Sequence, residues 1–125
     1  MPNTLLSVTR YRESQKSQRI HEQFLKGIWK VAFFRGSPGY DYTLVEGHLL
    51  QLCSNGHLAV VSGGKRYEGC WGLNKRERTL AIRLPGNWFT FILSNEWKIV
   101  KNSRKLIKLM KECNDGVQEL HLEQV

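Results

Sequence analysis

The sequence predicts an all-β fold: an antiparallel up-and-down barrel of about eight to nine strands with a short N-terminal helix. Three observations predict it. From Ile28 onward apolar and polar residues alternate with a period of two, so each segment would bury one face. Turn-forming residues recur at intervals of about ten, a spacing typical of sandwiches and barrels. Every link between strands is short enough for a hairpin. A long meander without a Greek-key return favours closure, because closure removes the exposed edges.

Residues 1–26 form a polar segment rich in Gln, Ser and Arg, and residues 27–125 form the barrel domain. Ile20, Phe24 and Leu25 fall at helical spacing, which predicts a helix over 14–25. Its narrow apolar stripe needs a domain to dock on. The first strand is Gly27-Ile28-Trp29-Lys30-Val31-Ala32-Phe33-Phe34, with Trp29, Val31 and Phe33 on one face and Phe34 outward. The Gly/Pro-rich loop 36–42 follows, and a strand is expected over 43–53. Ser54-Asn55-Gly56 fits a three-residue hairpin loop with Gly56 left-handed, and Gly63-Gly64 fits a two-residue turn. Further strands are expected over 57–62, 65–73, 79–84, 88–93, 97–101, 105–110 and 117–123.

Register supports this order. A three-residue loop at 54–56 sets Leu52 beside Leu58 and Leu50 beside Val60. A two-residue turn at 63–64 sets Val60 beside Tyr67 and Leu58 beside Gly69. One inward set survives both hairpins, and a slip of one residue would turn it outward. The inward row continues through Trp71, Leu73, Leu80, Ile82, Leu84, Phe91, Leu93, Trp97, Ile99, Ile107, Leu109, Leu120 and Leu122.

Composition narrows the function classes. At 125 residues and 41% hydrophobic content, the chain suits one domain with a small core. No apolar run approaches the roughly 20 residues that span a bilayer, and no signal peptide is apparent. With Cys53, Cys70 and Cys113 too few for a disulfide framework, the expected location is cytoplasmic. The net charge is +8, and Lys65 to Lys111 holds twelve Lys/Arg against Glu68, Glu77 and Glu96. Such a body attracts nucleic acid, anionic lipid or a small acid, unless the charges simply alternate outward on solvated strands.

Gly27-Ile28-Trp29 after a short helix resembles the Gly-X-Trp opening of lipocalins. The ordered set of Gly47-His48-Leu49-Leu50-Gln51-Leu52, Asn55-Gly56, Tyr67-Glu68-Gly69-Cys70-Trp71 and Leu93 to Trp97-Lys98-Ile99 resembles the small lipocalin-like (calycin-type) domains of Bacteroidetes-type proteins, over about residues 25–123. The resemblance implies an antiparallel barrel and little about activity. Many such domains look secreted or lipid-anchored, whereas no secretion or lipid-anchor signal is expected from the residues at 1–9. Fatty-acid-binding proteins share the Gly-X-Trp strand. The link at 36–42 is too short for their helical lid, and their C-terminal Arg-X-Tyr is absent, so fatty-acid binding does not carry over.

With nine strands, the helix shares one barrel end with loops 54–56, 74–78, 94–96 and 112–116. Loops 36–42, 63–64, 85–87 and 102–103 share the other end. By analogy with lipocalins the helix end is closed and the other is the mouth. There the inward positions turn polar: Glu46 and His48 share parity with Leu50, Ser62 faces His48, and Tyr67 lies just inside. Trp71 follows on the same parity. Arg35, Lys65, Arg66, Lys101, Arg104 and Lys105 are expected near that rim.

The candidate ligand-binding residues are therefore Arg35, Glu46, His48, Ser62, Tyr67 and Trp71, and the expected ligand is a small apolar or anionic molecule. The alternative is a filled core, with the barrel acting as a nucleic-acid-binding or protein-interaction surface through its outward cations, Trp88, Phe89, Tyr40 or Phe34. Cys53, His57 and Cys70 are expected side by side on the outer face. They lack a fourth metal ligand, and the two thiols stand roughly 10 Å apart, beyond disulfide reach. No nucleophile elbow, phosphate loop or metalloprotease motif occurs, so neither enzymatic activity nor a cofactor or metal is expected.

Overall fold

Alternation at period two gives eight strands: β1 (Trp29–Arg35), β2 (Leu49–Leu52), β3 (His57–Ser62), β4 (Lys65–Asn74), β5 (Thr79–Arg83), β6 (Glu96–Asn102), β7 (Leu106–Cys113) and β8 (Gly116–Gln124). The structure is a computed structural model that describes residues 21–25, 27–36, 47–86, 92–114 and 116–125. The strands close into an antiparallel up-and-down barrel in sequence order, with β8 pairing back onto β1. Residues 21–25 form the described part of the helix α1, and the earlier part of its predicted span lies outside the described residues.

The hairpin registers form as the turn chemistry predicts. Leu52 pairs with Leu58, Leu50 with Val60, Val60 with Tyr67 and Leu58 with Gly69. Gly56 has φ 86°, while Gly63 and Gly64 have φ 56° and 80°, the left-handed pair that a two-residue turn of the primed type requires. The inward row forms one core, from Trp29, Leu50, Leu58 and Val60 round to Trp97, Leu109, Leu120 and Leu122. Leu73 is half-buried against it, and Phe91 lies outside the described residues.

Three buried indoles tie connecting segments to this core. Trp29 Nε1 donates to the Phe24 carbonyl of α1 at 3.1 Å, Trp71 Nε1 to the Cys53 carbonyl at 2.8 Å, and Trp97 Nε1 to the Leu93 carbonyl at 3.0 Å. Each ring fills the interior while its one polar atom holds a backbone oxygen that the strand ladders leave over.

The structure departs from the alternation in three places. First, the β1–β8 register shifts between Val31 and Phe33. This bulge turns Phe34 inward, 1% exposed, and Phe33 outward, 36% exposed, the reverse of strict alternation. Second, of the strand expected over 43–53 the described part is β2, which begins at Leu49 with Gly47 and His48 outside it. Residues 37–46, including Tyr40, lie outside the described residues.

Third, the expected strand at 88–93 is not part of the sheet where it is described. Ile92 and Leu93 lie in a helical turn, and β5 pairs directly with β6 through Leu80 and Trp97. One fewer strand reverses the direction of every later one. Loop 103–105 therefore joins α1, 53–56 and 75–78 at one end. Residues 84–86, 92–95 and 114 join Gly47-His48 and Gly63-Gly64 at the other. Hydrogen bonds confirm the grouping: Gln23 of α1 bonds the Ser103 carbonyl and Asn102 at the helix end, and Asn95 Nδ2 reaches Gln118 Oε1 at 3.5 Å at the opposite end.

Candidate functional site

At the helix end the interior is plugged. Phe24 lies 6.2 Å from both the Trp29 and the Trp71 ring, and His21 stacks on Trp71 at 5.5 Å. Trp71 thus belongs to the plug, 7% exposed, and not to the polar group expected at the mouth. It sits there because it lies four positions further along β4 than Tyr67, beside the 53–56 loop, whose Gly56 carbonyl accepts from its backbone N–H at 2.9 Å.

At the opposite end the inward row turns polar. His48 is 8% exposed and shares parity with Leu50 and Leu52. Its carbonyl accepts from Val31 N–H at 2.8 Å, which extends the β1–β2 ladder one position past β2 and fixes where the ring enters. Continuing the Leu49–Val61 register places Ser62 across from His48, at a spacing of about 5 Å for directly opposed residues. Tyr67 sits across from Val60 and packs half-buried on the core. Three of the candidates, His48, Ser62 and Tyr67, are thereby brought together on one wall. Burial lowers the His48 pKa from its ordinary 6.5, so the ring at neutral pH is an uncharged donor and acceptor.

The cations divide differently from the expectation. Lys65 pairs with Ser62 and has the inward parity at the rim. Arg66 points outward and bonds Glu68 at 3.2 Å. The β1 bulge turns Arg35 outward, exposed, beside Glu119 of β8. Lys101, Arg104 and Lys105 lie at the helix end, because the missing strand reverses β6 and β7. Glu46, Trp88 and Phe89 lie outside the described residues.

The same reversal adds two residues that sequence reasoning missed. Asn95 and Gln118 are half-buried at the mouth and bond each other across the gap between residues 92–95 and β8. Gln118 has the parity of Leu120 and Leu122, a signal available in the sequence once β8 is given its true direction. Ser94 beside them replaces a strand partner: its Oγ accepts from Leu84 N–H at 2.8 Å and donates to the Leu84 carbonyl at 3.1 Å.

Two other features compete for attention. A groove of about 420 Å³ lies on the outer face where β6 and β7 part, lined by Thr79, Glu96, Lys98, Met110, Glu112 and Val117 among others. Its acids and lysines oppose each other, and none of its lining side chains is buried. Cys53, His57 and Cys70 do stand in a row across β3: Cys53 N–H donates to the His57 carbonyl at 2.8 Å, and His57 pairs with Cys70. All three cysteines are free, and His57 Nε2 lies 3.7 Å from Glu68. Among the described residues no group of three or more His, Cys, Asp or Glu is placed to hold a metal ion.

No protein-family model matches the sequence, and neither does any curated protein. Among solved structures the chain is similar to a DUF4847 family protein from Bacteroides vulgatus ATCC 8482, known from a 1.00 Å crystal structure. The two share 15% sequence identity with a TM-score of 0.62, over 85% of this chain and 97% of that one. The likeness establishes a shared barrel fold. Among the described residues no helix is long and apolar enough to cross a membrane.

Proposed function

We propose that the chain is a lipocalin-like, non-enzymatic binding barrel. It takes a small, largely apolar molecule carrying an anionic or hydrogen-bonding group, at the end opposite α1. The observation that carries this reading is the change in the inward row. Aromatic rings plug one end, whereas His48, Ser62 and Tyr67, with Asn95 and Gln118 further round the rim, converge at the other. A few converging polar groups over an apolar interior are the usual form of a small-molecule site. The neutral His48 ring and the Ser62 and Tyr67 hydroxyls supply hydrogen bonds, and Lys65 at the rim supplies the charge for an anionic group. The Bacteroides neighbour supports the lipocalin-like assignment at the level of fold. The three free thiols suit the cytoplasmic location included in this proposal.

Native mass spectrometry of the purified protein, followed by denaturing extraction, tests the reading. The expected result is a stoichiometric small molecule released on unfolding, with occupancy reduced in His48→Gln and Tyr67→Phe. A clean apo mass, with no thermal shift from a panel of anionic lipids, would replace it with a filled barrel.

A further inference from the structure

We propose that the helix end of the barrel is a docking face for a nucleic-acid duplex, held through its phosphate backbone by Lys75, Arg76, Arg78, Lys101, Arg104 and Lys105. These residues come from two hairpins that are far apart in sequence, and the reversal of β6 and β7 brings them to one end. The two hairpins are tied directly: Arg78 Nη2 donates to Asn102 Oδ1 at 3.0 Å, and Ile99 N–H to the Arg78 carbonyl at 2.9 Å. Arg78 holds this position with φ 56°, a conformation that non-glycine residues seldom adopt. Gln23 of α1 braces the second hairpin through Ser103 and Asn102. The cations therefore project from a fixed platform, and less order has to be gained on binding.

All six cations are exposed. The ion pairs among the described residues join His57 and Arg66 to Glu68, and His121 to Glu119, and none involves these six. Glu22, Glu77 and Glu123 share this end and leave it strongly positive, with Lys30 adding to the excess. A net-positive cluster of this kind concentrates polyanions. Half of it is arginine, whose planar fork matches phosphate oxygens, and Asn102 and Ser103 lie between the cations as further polar contacts of the backbone-binding type.

The rest of this end selects among polyanions. Single-stranded binding relies on exposed rings on which bases stack. Here Phe24, Trp29 and Trp71 are buried, and His21 is stacked on Trp71. Loops 74–78 and 101–105 carry no apolar side chain that would enter a bilayer. A duplex needs neither feature, because its affinity comes from phosphate contacts and released counterions.

The test uses the full chain and a fluorescein-labelled DNA duplex of about 20 bp, followed by anisotropy between about 50 and 200 mM salt. If all six cations contact phosphate, log affinity falls against log salt with a slope of about −5. Arg76→Glu with Arg104→Glu is expected to weaken binding about tenfold or more, while Arg66→Glu with Arg83→Glu at the opposite end changes it less than about twofold. If the first pair fails to melt like the parent, Arg76→Gln with Arg104→Gln is read in its place. Three results would each overturn the proposal: unchanged affinity in the helix-end pair, an equal loss in the opposite-end pair, or binding to phosphatidylserine vesicles at a salt where the duplex is not bound. Ligand extraction reads the other end of the barrel, so either proposal can fail alone.

Discussion

Gly69 lies on the inward row of β4, between Tyr67 of the polar end and Trp71 of the plug. A Cβ built there would stand 2.1 Å from the Arg83 carbonyl oxygen and 3.0 Å from Leu84 Cδ2. To restore even 3.0 Å, the Arg83 backbone would have to move by about 0.9 Å, the difference between 3.0 and 2.1. It is poorly placed to do so. Arg83 makes the last β4–β5 pair, with Cys70, and the next residue is held at both backbone groups by Ser94. Gly69→Ala is therefore an overpacking substitution against backbone, with an expected cost of about 2–3 kcal/mol. For a domain of this length that lowers Tm by about 8–12 °C. Gly72→Ala on the same strand is the control: nothing lies within 4 Å of its built Cβ, and it is expected to leave Tm unchanged or raise it slightly. Thermal and urea melts of the two variants decide the matter. Equal melts for both, or a Gly69→Ala protein within about 2 °C of the parent, would refute the close approach.

Because burial lowers the His48 pKa, the unfolded chain takes up the proton first. Stability is therefore expected to fall as pH drops below about 6.5 and to level off below the folded-state value. Melts at about pH 7.5 and 5.5 should lie closer together in His48→Gln than in the parent, and an identical gap would count against the buried ring. Ser94→Ala removes both bonds to Leu84 and is expected to cost about 1–3 kcal/mol in urea unfolding, with no cost expected if water replaces the hydroxyl. Trp29→Phe leaves the Phe24 carbonyl without its indole donor, at about 1–2 kcal/mol. Hydrogen exchange should quicken in residues 21–25 ahead of the barrel strands, and a uniform change across the barrel would contradict that local role.

What was legible in the sequence was whatever adjacent hairpins determine. Asn55-Gly56 and Gly63-Gly64 set two registers, and those registers carried Leu50, Leu58, Val60 and Tyr67 to the inward face without reference to the rest of the fold. The β1 bulge was not legible, because it belongs to the pairing of Val31 and Phe33 with β8, at the far end of the chain. Strict alternation accordingly placed Phe33, Phe34 and Arg35 on the wrong faces. The helical turn at Ile92-Leu93 was hidden because both residues are buried, and a pair of apolar residues fits a strand as well as a turn. That single error inverted three later loops. It placed Lys101, Arg104 and Lys105 at the mouth and left Asn95 and Gln118 out. His48, Ser62 and Tyr67 lie upstream of it and were unaffected.

The seam between β1 and β8 has a consequence for how the chain reaches this structure. Every other adjacency joins consecutive strands and can form as a local hairpin, whereas Trp29 must meet Gln124 and Arg35 must meet Glu119. Closing a loop of that length from the open chain costs about 2–3 kcal/mol more than closing a hairpin, so the seam forms most readily after a twisted eight-stranded sheet has brought its flanks together. Until then β1 and β8 are two free edges, able to pair with another copy of the chain. The register shift between Val31 and Phe33 belongs to that seam, so Phe34 takes its inward place only as the barrel closes, and until then the β1 edge is a regular template.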